Sequence, residues 1–67
     1  MAKISQKNLQ AAMIDKCIGI LELAKRAGLQ PAIVGRLLKK NSNVHLPTLA
    51  KISKALDVPA DDLILKE

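Results

Sequence analysis

The 67-residue chain holds 11 Lys and Arg against 6 Asp and Glu, one His, one Cys and no Phe, Tyr or Trp. That length gives one small domain, which buries roughly 60% of its unfolded surface and has no room for a deep substrate cavity. A lone Cys excludes an internal disulfide and fits a reducing compartment, while the missing aromatics argue against base-stacking readers of single strands and exclude an aromatic cage.

Half of the residues are apolar and a quarter charged, a globular rather than a disordered balance. No apolar run approaches the roughly 18 residues of a membrane span, and residues 1–7 do not read as a signal peptide. The expectation is a soluble cytoplasmic protein. Charge is uneven: residues 1–40 carry eight Lys and Arg against two acids, residues 41–67 three against four. The first part is therefore the expected contact for a polyanion.

No sustained period-two alternation appears, so the pattern predicts helices and no strands. Residues 1–5 are expected to be a short flexible start. Ser5 is a candidate N-cap for a first helix over residues 6–16, with Leu9 and Met13 at helical spacing and Ala12 and Ile14 flanking them. Gly19 opens a second helix over residues 20–27, with Glu22 in its first turn, and Gly28 closes it. Pro31 starts a third helix, which runs to Lys39. Residues 41–43 read as a polar loop. Pro47 opens a fourth helix to Leu56, Pro59 a short fifth one, and residues 65–67 are a flexible end. The sum is an all-α, compact five-helix domain occupying residues 1–67.

The strongest signal lies in residues 20–39. Two short helices meet across a tight turn at Gly28, the residue free to take positive φ, and Ala24 supplies the small side chain where they cross. Leu23, Ala27, Leu29, Val34 and Leu37 fall inward; Lys25, Arg26, Arg36 and Lys39 fall outward. This is a helix-turn-helix pattern, with Ala24, Gly28 and Val34 as its structural positions.

Glu22-Leu23-Ala24-Lys25-Arg26-Ala27-Gly28-Leu29, then Val34-Gly35-Arg36-Leu37-Leu38, then T-L-A-K-I-S-K-A-L-D-V from Thr48 to Val58 and a final Leu63 resemble the Xre family of Cro and phage-repressor type helix-turn-helix domains. The likeness covers about residues 9–64. It implies a repressor-like fold, double-stranded DNA as partner, a dimer, and transcriptional regulation in the cytoplasm of a bacterium or from a phage, at the nucleoid. The sequence also departs from the family. Leu38 and Met13 stand where many members pair a Glu with an Arg, Ile20 replaces a polar residue at the start of the second helix, and Pro59 stands in place of a Ser cap. The usual Gly after the third helix is replaced by Lys40 or Asn41, with Asn the better left-handed residue.

With the third helix in a major groove, its outward positions are Gln30, Pro31, Ala32, Gly35, Arg36 and Lys39. Arg36 suits a bidentate contact with guanine; Gln30, Ala32 and Gly35 complete the expected base-reading set. Lys39, Lys40, Asn41 and Asn43 are the expected phosphate contacts, with Lys25 and Arg26 adding longer-range field. Ile64 and Leu65 are candidates for the surface of a homodimer on an inverted repeat. Cys17 and His45 lack the cleft and partners of a catalytic pair, and ligands for a metal are too few. The expectation is a protein that is not an enzyme, with no cofactor, metal, membrane or small-molecule substrate. The alternative is a protein-interaction module on the same fold, an antitoxin or adaptor subunit with a protein partner.

Overall fold

In the computed structural model residues 1–66 are described; Glu67, expected in the flexible end, lies outside the described residues. Ser5 begins the first helix, α1 (Gln6–Asp15), its Oγ accepting the Asn8 amide at 3.2 Å. The charged and small-residue pattern of residues 20–27 gives α2 (Ile20–Ala27), capped by extended Gly19, and Pro31 in the first turn starts α3 (Pro31–Lys39). The last helix, α4 (Leu46–Leu56), begins at Leu46, one residue before the expected start, because Pro47 is accommodated inside the first turn. No helix among the described residues is long and apolar enough to cross a membrane.

Two strands correct the all-α, five-helix expectation. β1 (Ala2–Ile4) pairs antiparallel with β2 (Ser42–Val44), in the register Ala2 with Val44, Lys3 with Asn43 and Ile4 with Ser42. Residues 1–5 are thus not a loose start: Ile4 is fully buried, and Ser5 donates its amide to the Leu63 carbonyl at 2.8 Å. The expected fifth helix is a single 3-10 turn over Ala60–Asp62. Beyond it the chain returns along the other side of β1, where Ile64 bridges Ile4 and the Leu65 amide reaches the Lys3 carbonyl at 2.7 Å. Lys66 closes the described chain with an exposed bond to Asp61, which raises the lysine above its ordinary pKa through that hydrogen bond and the carboxylate charge. An ion pair so exposed holds little.

The core is wholly aliphatic. Leu9 and Met13 of α1, Leu23 and Ala24 of α2, Val34 and Leu37 of α3, and Leu49, Ile52 and Leu56 of α4 meet Ile4, Ile18, Val44 and Leu63. α2 packs on both α3 and α4, and Ala24, buried to 2% exposure, is the small residue expected where α2 and α3 cross. Leu23, Ala27, Val34 and Leu37 are buried and Leu29 half-buried, as their spacing predicts. Ile14, by contrast, is 73% exposed.

Three helices stop by one device. After α1, α2 and α4 a single residue turns left-handed: Cys17 at φ 56, Gly28 at φ 69 and Asp57 at φ 55. The next residue, Ile18, Leu29 or Val58, donates its amide to the carbonyl five residues back: Met13, Ala24 or Ser53. The apolar residue is thereby turned onto the core. Ser53 reinforces the third stop, its Oγ donating to the Val58 carbonyl at 2.6 Å. The end of α3 differs: Lys40 is extended at φ −160 and leads into β2, so the left-handed residue expected at Lys40 or Asn41 is not there.

Only Gly28 takes this conformation without steric cost. A Cβ on Gly28 meets nothing within 4 Å, so any penalty there comes from φ alone. Cys17→Gly is expected to raise the melting temperature by about 4–8 °C, for a gain of ~1 kcal/mol, and Gly28→Ala to lower it by a similar amount. Thermal unfolding of both variants checks this; shifts of the same sign would contradict the shared turn geometry.

Candidate nucleic-acid interface

The turn at Gly28 sets α3 across α2, and burying Val34 and Leu37 leaves the opposite side of α3 free. Gln30 caps α3 through its backbone, with no side-chain bond to the helix, and its amide side chain is exposed. Pro31, Ala32, Arg36 and Lys39 are also exposed, and Gly35 is half-buried among them. Of the four expected base-reading residues, Ala32, Gly35 and Arg36 share the side of α3 opposite Val34 and Leu37, while Gln30 stands at its N-terminal end. Among the described residues the ion pairs are Arg26 with Glu22 and Lys66 with Asp61, so Arg36, Lys39 and Lys40 keep their charges unpaired. Arg26, expected to add to the field, has its charge offset by Glu22 at 2.6 Å.

The expected phosphate contacts separate into two kinds. Lys39, Lys40 and Asn43 are exposed. Asn41 is exposed too, but its Oδ1 accepts the Gln6 amide at 2.8 Å, which leaves Nδ2 as its remaining donor. That bond ties the exit of α3 to the start of α1, 35 residues away. Ser42 turns its hydroxyl back to the Lys40 carbonyl at 3.1 Å.

The structure adds residues that sequence reasoning did not single out. A groove of about 190 Å³ runs between α3, β2 and the start of α4. Arg36, Ser42, Asn43, His45 and Thr48 line it, over an apolar floor that includes Leu37 and Val44. No acidic residue is among the described lining. Imidazole, hydroxyl and amide groups beside a guanidinium at a helix start form a donor-rich surface for an anion. His45 caps α4 and was legible as a loop histidine near phosphate; Ser42 gave no signal, because its closeness to Arg36 depends on β2 pairing with β1, and Thr48 was legible as part of the family's pattern but not as a groove residue.

A second groove, of about 410 Å³, lies at the junction of α1, α2 and α3. Met13, Ile14, Cys17, Ile18, Ile20 and Leu38 line it, with Gln10 as its polar side chain. Met13 is buried and Leu38 packs half-buried against the core, the aliphatic packing expected where many members of the family place an ion pair. Cys17 is a free, exposed thiol at this edge. Among the described residues no group of three His, Cys, Asp or Glu side chains is placed to hold a metal.

Ile64 and Leu65, the expected dimer surface, are half-buried and joined to β1 by the bridge to Ile4 and the bond to Lys3. What they offer a partner is their outer side only.

Two short helices packed across a tight left-handed turn, with a buried inner side, a cationic outer side and a donor-lined groove, have the form of a helix-turn-helix domain. The family model for the Cro/C1-type helix-turn-helix DNA-binding domain matches residues 8–65, and the chain belongs to that family. Among solved structures it is similar to the restriction-modification controller protein C.AhdI from Aeromonas hydrophila, at 26% identity and a TM-score of 0.78, over 85% of this chain and 86% of that one. It is also similar to part of the Streptomyces albus 2-hydroxyethylphosphonate dioxygenase, solved with substrate and Fe(II), at 26% identity and a TM-score of 0.82. That match takes 92% of this chain but only 15% of the dioxygenase, and a variant of a 2-hydroxyethylphosphonate dioxygenase matches over the same 15% share. No curated protein sequence matches. Family and controller-protein neighbour together support a DNA-binding regulator.

The Asn41 bond generates a prediction. Asn41→Ala, which leaves the Gln6 amide without its acceptor, is expected to cost about 0.5–2 kcal/mol in urea unfolding, whereas Asn41→Asp retains the acceptor and most of the stability. Equal losses in the two variants would show that Oδ1 is not what matters.

Proposed function

We propose that the protein is a sequence-specific, double-stranded DNA-binding transcriptional regulator that lays α3 in the major groove and acts as a homodimer on an inverted repeat. The observation that carries this reading is the outer side of α3. Arg36 and Lys39 stand there unpaired among the described residues, continuous with the acid-free groove of Ser42, Asn43, His45 and Thr48. Arg36 reads guanine, with Gln30, Ala32 and Gly35 on the base edges; Lys39, Lys40 and Asn43 hold phosphates, joined by Asn41 through Nδ2 and by His45 and Thr48. The dimer forms through the outer side of Ile64 and Leu65. The reading is one of binding without chemistry: it needs no catalytic group, cofactor, metal or small molecule. It places the protein in the cytoplasm of a bacterium, encoded by the cell or by a phage, at the nucleoid.

A second reading, the protein-interaction module, is favoured by the apolar groove of Met13, Cys17, Ile20 and Leu38, where other members place charge. Salt separates the two. Binding through phosphates weakens steeply as salt rises, with a log–log slope of about −0.9 per contact.

Selection from a random duplex library is expected to enrich an inverted repeat with half-sites about one helical turn apart. Arg36→Ala should lose one base preference per half-site at about 1–3 kcal/mol, while Lys39→Ala keeps the preferences and reduces the salt slope by about one. No enrichment even at low salt would transfer the assignment to the interaction module.

A further inference from the structure

In a flexible start Lys3 would have no fixed place; in β1 it has one. The Lys3 carbonyl accepts the Leu65 amide and the Ser5 amide donates to the Leu63 carbonyl, so residues 3 and 5 turn their backbone groups away from β2. Ala2 with Val44 and Ile4 with Ser42 are therefore the hydrogen-bonded pairs of the ribbon, and Lys3 with Asn43 is the narrow, non-bonded pair between them. In such a pair both side chains leave the same face, with Cβ atoms about 4.5–5.5 Å apart. That face is the outer one. Lys3 and Asn43 are exposed, while Ile4 and Val44, each one position along its strand, are buried.

Asn43 also lines the groove beside Arg36. The cross-strand pair thus continues that groove onto β1 and brings it a cation that β2, Ser-Asn-Val, does not carry. Among the described residues Lys3 has no ion-pair partner. We propose that Lys3 binds a phosphate of the DNA backbone next to the one held by Asn43, so that the interface runs from α3 across β2 onto the N-terminal strand. The proposal rests on the DNA-binding function above and deepens it. Lys3 positions the protein and reads no base, because an ammonium on a flexible stem bonds any phosphate alike. β1 is bonded along both edges, so its place relative to α3 is set by the fold and needs no ordering on binding.

The test uses the full chain and the operator it selects. Affinity is measured against salt for the native protein, for Lys3→Gln, which deletes the charge at similar length, and for Lys3→Arg, which keeps it. Lys54→Gln, in the last turn of α4, is the control. Lys3→Gln should weaken binding about three- to tenfold at about 0.1 M salt and reduce the log–log slope by about one. Lys3→Arg should keep the native slope, Lys54→Gln should leave it unchanged, and no variant should alter the base preferences. All should melt within about 4 °C of the native protein, since backbone bonds and not the Lys3 side chain hold β1. Replacing operator phosphates one at a time by neutral methylphosphonates should find one position per half-site that matters to the native protein and not to Lys3→Gln. A loss of affinity at unchanged slope marks a disturbed strand and overturns the proposal, as does a selected operator on which no phosphate separates the native protein from Lys3→Gln. Either result leaves the DNA-binding function standing. Failure to select any operator overturns both.

Discussion

The structure depends on β1 lying between two other segments. On one side it pairs with β2; on the other, Ser5 and Lys3 bond to Leu63 and Leu65 around the Ile4–Ile64 bridge. An aliphatic core of this size gives a modest gain against chain entropy. Backbone pairing at β1 adds directional order that packing of Leu and Ile alone does not supply. It also decides where α3 ends. Because Ser42 must meet Ile4, the chain leaves α3 extended at Lys40 instead of turning left-handed as α1, α2 and α4 do. The donor-lined groove beside α3 is a product of that exit, since Ser42, Asn43 and His45 reach Arg36 only on a strand held in this register.

The parts of the fold legible in sequence are those encoded over short spans. Ser5 as a cap, Gly28 as a left-handed stop, Pro31 in a first turn and the inward spacing of Leu23, Ala27, Val34 and Leu37 each need only a few neighbouring residues. The strands were not legible for two physical reasons. Three residues are too few to display an alternation, and the partners Ile4 and Ser42 lie far apart in sequence. Asn41 shows the same limit at one side chain. Its amide suits either a phosphate or a helix start, and only the fold brings the Gln6 amide within 2.8 Å. Cys17 could be read as a small residue at the end of α1, yet its left-handed backbone follows from Ile18 having to reach the core, a requirement set by tertiary packing.

The two grooves share α3 but differ in chemistry. Arg36 and Leu37 face the donor-lined groove, and Leu38 lines the apolar one with Met13, Cys17 and Ile20. A phosphate set against the second groove would meet mostly apolar side chains and no cationic one, so an anion's favourable contacts concentrate on the Arg36 side. Replacing a buried ion pair by Met13 and Leu38 need not cost stability: desolvating two charges consumes most of their attraction, and well-packed aliphatic groups avoid that penalty. The same residues leave that side of α1 without a cation.

That loss changes what the remaining residues must do. With Ile20 and Met13 apolar and Arg26 engaged by Glu22, the charges on α3 and just after it that are unpaired among the described residues are Arg36, Lys39 and Lys40. Lysines fix a helix on phosphates without distinguishing sequences, so under the proposed function the one guanidinium on α3 would carry the strong directional contact with a base. Discrimination beyond one guanine then has to come from how closely α3 approaches the groove floor and from how readily the duplex takes the matching shape. Close approach is limited by side-chain bulk. Under the proposed function, the small side chain of Ala32 would allow that approach, while Arg36 would supply the bond to a base.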